Sequence, residues 1–96
     1  MLLYQNVGLT EGKVASRSGS GTVIAAPGAG KTIIVHDVVM TGAANLTDGS
    51  AVVIYGTGAG CVMNFSAGVP FGENKAVVLS AAVNTTVTYS VVDHKR

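Results

Sequence analysis

The sequence predicts an all-β fold, a single antiparallel β-sandwich or jelly-roll-like domain of seven to eight short strands, and three observations carry that reading. Its apolar stretches are four to ten residues long and rich in Val, Ile, Thr and Ala, the composition of strands rather than helices. Gly, Asn, Asp and Pro separate them at intervals near 8 to 12 residues, which is the punctuation of a sandwich or barrel and not of alternating βα units. Thirteen glycines in 96 residues supply many tight corners. They are dispersed, so they do not form a linker.

Taken in order, the candidate strands are 12–18, 21–26, 31–41, 51–55, 60–66, 75–81 and 85–92. The last alternates most clearly: Thr86, Thr88 and Ser90 on one face, Val87, Tyr89 and Val91 on the other, as a strand half-buried against a core requires. The segment Ile33-Ile34-Val35-His36-Asp37-Val38-Val39-Met40 is apolar on both faces. That pattern belongs to a central strand covered on both sides, or to one whose outer face meets another subunit. Its β-branched residues crowd a helical turn, which argues against a helix. Pro27-Gly28 reads as the corner of a turn, and Asn45-Leu46-Thr47-Asp48-Gly49 as a hairpin-type connection. Residues 1–10 are set apart as an N-terminal strand or arm, and 11–96 as the sandwich domain. Leu2, Leu3, Tyr4, Val7 and Leu9 make this leader apolar, suited either to an edge strand or to an arm reaching onto a neighbour.

Charged residues make up only 11% of the chain, against about 25% in an ordinary soluble domain. A small domain has much surface to cover, so the shortfall points to surface hidden against partners, together with Ser, Thr, Asn and Gly on what stays wet. Six basic and five acidic residues, net charge +1, are scattered singly apart from Lys95-Arg96. No basic stripe for nucleic acid is present. No apolar run approaches the roughly 20 residues of a membrane-spanning helix, and no secretory leader is read at Met1-Leu2-Leu3. Cys61 is the single cysteine, read as a small buried hydrophobe rather than a nucleophile.

The chemical motifs are weak. Gly28-Ala29-Gly30-Lys31-Thr32 resembles the end of a phosphate-binding loop, but the first glycine of that motif falls on Ala25, and Ile33-Ile34-Val35 continues as a strand. A phosphate loop must instead open a helix, whose N-terminal amides hold the anion. Gly56-Thr57-Gly58-Ala59-Gly60 joins two strands and has Cys61 where a dinucleotide fingerprint needs a later glycine. His36-Asp37 and Asp93-His94 are the pairs nearest to a metal or acid–base set. Adjacent strand residues point to opposite faces, so neither pair is expected to share a ligand. No serine sits in a G-x-S-x-G elbow. Catalytic, cofactor and metal residues are accordingly not assigned, no cofactor is expected, and the chain is not read as an enzyme.

From about residue 23 to 92, the run Ala-Ala-Pro-Gly-Ala-Gly-Lys-Thr-Ile-Ile-Val, a strand ending at Met40-Thr41, and the closing Asn84-Thr85-Thr86-Val87-Thr88-Tyr89-Ser90-Val91-Val92 resemble the small head-decoration, or cement, proteins and β-sandwich fibre modules of tailed bacteriophages. The resemblance implies a jelly-roll-like sandwich in the virion, on the capsid exterior. It also implies a homo-oligomer, a trimer before a dimer, that clamps subunits of the major capsid protein and uses neither nucleic acid nor membrane. Leu2, Leu3 and Tyr4 are then the expected contacts with a neighbour, and Lys31 a surface or intersubunit contact. The alternative is a tail-fibre or spike module that binds host-surface glycans, for which five aromatic residues, Tyr4, Tyr55, Phe65, Phe71 and Tyr89, are few.

Overall fold

The structure is a computed structural model that describes residues 13–56 and 61–93. Its elements are all strands: β1 (Lys13–Arg17), β2 (Gly21–Ile24), β3 (Lys31–Met40), β4 (Ala44–Thr47), β5 (Val52–Gly56), β6 (Cys61–Glu73), β7 (Val77–Leu79) and β8 (Thr85–Asp93). They pair antiparallel as β1 with β8, β2 with β7, β3 with β6 and β4 with β5. The chain is thus one long antiparallel hairpin of strand pairs. Rolling it over on itself adds the pairs β3 with β8 and β4 with β7, and gives two four-stranded sheets, A in the order β1-β8-β3-β6 and B in the order β2-β7-β4-β5. That order is the jelly roll.

The core lies between the sheets. Sheet A contributes Ile33, Val35, Val38, Met40, Phe71 and Val87, and sheet B contributes Ile24, Ala44, Leu46, Ile54, Val77 and Leu79, all buried. Each aliphatic side chain of this size contributes about 1.5–3 kcal/mol by leaving water. In β8, Val87 is buried while Tyr89 and Val91 pack partly buried against the same core, as the alternation of that strand predicts.

Two expectations from the sequence need correction. Asn45-Leu46-Thr47 is not connection but most of β4: Ala44 and Leu46 are buried between Asn45 and Thr47, an alternation too short to stand out from turn composition. The turn proper follows, where the Asp48 carboxylate accepts the N–H groups of Ser50 and Ala51, each at 2.8 Å. Those bonds, Ala51 foremost, hold the Asp48 carboxyl below its ordinary value. The strand expected at 60–66 runs on through Glu73. Gly68, Pro70 and Gly72 read as breakers, yet β6 is an edge strand of sheet A, where a proline N–H is not needed for the ladder.

Strand β3 is not a uniform ribbon. It passes from Val35 opposite Tyr89 to Asp37 opposite Thr88, so His36 is an extra residue in the ladder with β8. Before this bulge the buried apolar residues are Ile33 and Val35; after it they are Val38 and Met40. A one-residue insertion reverses the phase of a period-two pattern. Both halves of an otherwise mismatched strand thereby keep their apolar side chains in the core.

Candidate interaction surface

The outer face of sheet A is the most unusual surface of the described chain. Among the described residues, the large apolar side chains left exposed are Val14, Val39, Tyr55, Val62 and Val92. All but Tyr55 belong to sheet A, one on each of its four strands. Register places them on the face away from the core: Val14 lies opposite Thr88, and Val39 opposite both Thr86 and Val62. Val62 is 79% exposed and Val14 67%. Between them stand small uncharged polar groups, including a Ser16–Thr86 hydroxyl pair at 3.3 Å.

The bulge sets the polar centre of this face. Sequence reasoning put His36 and Asp37 on opposite faces. The structure puts both on the outer one, because two residues of β3 oppose a single residue of β8. His36 Nε2 shares a hydrogen bond with Ser90 Oγ at 3.0 Å. Asp37 Oδ2 accepts the Thr88 hydroxyl at 2.8 Å, and its Oδ1 accepts the Asn64 amide. Both carboxylate oxygens are therefore occupied from the flanking strands, and the charge sits inside a ladder of neutral donors. Glycine is required beside it. Gly68 has φ +83°, and a Cβ there would collide with Ile34 Cγ2 and lie 3.3 Å from His36 Cε1. The face is a packed, hydrogen-bonded plane with one carboxylate at its centre.

Lys31 begins β3 and is exposed. The loop before it is closed on itself: Gly28 N–H donates to Asn74 Oδ1 at 2.9 Å, and Gly30 N–H to Glu73 Oε2 at 2.8 Å. The Lys31 N–H donates to Gly28 O at 3.2 Å, and the Asn74 N–H to Lys31 O at 2.7 Å. The glycine amides that resemble a phosphate cradle thus hold the side chains of Glu73, at the end of β6, and of Asn74, which follows it. What the fold brings to Lys31 is Lys13. Both line a groove of about 470 Å³ with Ile24, Pro27, Ile33 and Tyr89.

At the corner between the sheets, Arg17 turns its guanidinium onto the backbone, donating to Gly19 O at 2.6 Å, Ser20 O at 2.7 Å and Thr22 O at 3.3 Å. It fixes the crossing from β1 to β2. Its charge is used within the fold.

Of the residues named from sequence, Lys31 is placed at the rim of the groove, while Leu2, Leu3 and Tyr4 lie outside the described residues, as do His94 and the Cys61 side chain. Sequence reasoning missed that Lys13 lines the same groove as Lys31, and Asn64, Thr88 and Ser90 as partners of the His36-Asp37 pair. The one available signal was the break in alternation at 35–38, where Val35 and Val38 cannot share a face in a regular strand. Among the described residues no three His, Cys, Asp or Glu side chains are gathered to hold a metal ion. Comparison of the chain with protein-family models, curated proteins and solved structures gives no match.

Proposed function

We propose that this chain is a structural virion protein, a capsid decoration or cement protein that assembles with copies of itself and stabilises a head shell by binding across subunits of the major capsid protein. The observation that carries the reading is the outer face of sheet A, with an exposed valine on every strand, uncharged polar neighbours, and its central carboxylate satisfied from within. Covering such a face desolvates little charge, which is what separates the centre of an interface from ordinary wet surface. A jelly roll by itself decides nothing, since the architecture serves capsid proteins, lectins and enzymes alike.

Magnitude constrains the assembly. The four valines together expose the equivalent of between two and three whole side chains, so covering them yields about 4–6 kcal/mol gross. Association costs about 4–15 kcal/mol. One such contact is marginal, and the face works best where several contacts form together, in a closed homo-oligomer seated on a repeating shell. The sequence resemblance favours a trimer. The apolar leader with Leu2, Leu3 and Tyr4 would add contacts of the same chemistry.

The glycan-binding alternative is weaker. Phe71 is buried, and Phe65 and Tyr89 pack against the core, which leaves Tyr55 as the exposed aromatic among the described residues. Sugar sites use stacked rings more generously.

Sedimentation velocity on the full chain tests the reading. The wild type is expected as a discrete oligomer. Val14→Glu with Val62→Glu should shift it to monomer with an unchanged far-ultraviolet spectrum, because both side chains are exposed. A wild type that stays monomeric at high concentration would overturn the assembly.

A further inference from the structure

We propose that the groove between the β1 edge of one sheet and the β2 edge of the other is a docking site for an extended acidic peptide of a partner chain, an apolar side chain flanked by carboxylates. The inference rests on the reading that the protein binds partner subunits, and it assigns the chemistry of one such contact.

The groove lies where β1 ends sheet A and β2 ends sheet B. Ile24, Pro27 and Ile33 give it an apolar floor, and Lys13, Lys31 and Tyr89 stand at its sides. Lys13 on β1 lies opposite Tyr89, and Lys31 opens β3, so two strands of sheet A bring two exposed lysines to one apolar strip. Among the described residues no carboxylate lines it. In a chain of so few charges, such a pairing selects the sign of its ligand. Of the described acids, Glu73 is bonded to the Gly30 amide, and Asp93 is the ladder neighbour of Lys31 outside the lining.

Two features favour a peptide over a small amphipathic acid. The groove is open to solvent and offers no enclosed tunnel for an alkyl tail. Beside it, β1 bonds only to β8 among the described strands, which leaves its outer N–H and C=O groups, within the described residues, to an added strand. An extended peptide uses those backbone groups, and its alternating side chains then face the floor and the lysines in turn. A fatty acid uses neither.

The test uses the full chain and a fluorescein-labelled peptide of alternating glutamate and leucine, read by anisotropy and by amide chemical shifts. Binding should perturb Lys13, Lys31 and Tyr89, and weaken on raising salt from 0.05 to 0.5 M. Changing both lysines, as Lys13→Gln with Lys31→Gln, should weaken it about 2- to 30-fold, at a surface-pair strength of about 0.2–1 kcal/mol for each. Asp93→Asn should tighten it. Equal binding of a lysine–leucine peptide, shifts confined to other strands, or saturable binding of decanoate with none of the peptide would each overturn the proposal. Because these readouts need no assembly, loss of peptide binding with an intact oligomer refutes the groove alone. Peptide binding by a monomeric wild type refutes the assembly face alone.

Discussion

Deleting single residues of β3 tests whether the bulge at His36 is what keeps both halves of that strand in phase with the core. Removing His36 joins Val35 to Asp37 and restores strict alternation: Ile33, Val35, Val38 and Met40 still face inward, now in an unbulged ladder with β8. The loss is the bond to Ser90, about 0.5–1.5 kcal/mol. Removing Ile34 is different. Ile33, fully buried, would move to the outer face, and Thr32 would take its place in the core. Taking an isoleucine out of the core site costs about 1.5–3 kcal/mol, and placing a hydroxyl there about 1–3 kcal/mol more. The two deletions should therefore differ by about 2–5 kcal/mol, a large part of the 5–15 kcal/mol that holds a domain together. Urea denaturation followed by circular dichroism measures both. Equal destabilisation by the two deletions, or a more stable Ile34 deletion, would refute the phase argument.

Gly68→Ala should destabilise the fold by about 1–3 kcal/mol, since a Cβ meets Ile34 and the backbone is left-handed there; a thermal midpoint within a degree of wild type would contradict this. Thr85→Val should be neutral or stabilising by about 1 kcal/mol, because the Thr85 hydroxyl is buried with no hydrogen-bond partner among the described residues and valine has the same shape; a fall in the urea midpoint would show a partner in solution. The Asp48 carboxyl titrates below its ordinary value because the folded turn donates Ala51 and Ser50 N–H groups to the ionised form. A depressed folded value means stabilisation that is present above the unfolded value and lost as pH falls through the folded one. Carboxyl-carbon NMR titration should give a midpoint below that of an unstructured aspartate, and Asp48→Ala should flatten the acid limb of the stability curve. A normal midpoint would remove the basis for that dependence.

The closing strand was legible because its neighbours do not disturb it. Thr86, Thr88 and Ser90 alternate with Val87, Tyr89 and Val91, and the ladder from β8 to β1 is regular. Strand β6 was half legible, since Gly68, Pro70 and Gly72 carry turn propensity that an edge position tolerates. The outer-face cluster was not legible at all. Asp37, Asn64 and Thr88 come from three strands, and the Asp37 side chain changes face only because of a bulge whose place is set by pairing with β8.

By itself the sequence determined the class of the fold: β-branched runs, glycine-rich corners and a shortage of charge leave antiparallel sheets as the way to bury this composition, and the GAGKT run leads into a strand because β-branched residues follow it. Tertiary structure alone decided the pairing of strands distant in the chain. Pairing in turn decided that Lys13 joins Lys31 across one groove, that four valines share one face, and that His36 and Asp37 point the same way. Local propensity has period and punctuation but no register, and register is fixed only when two sheets close over a common core.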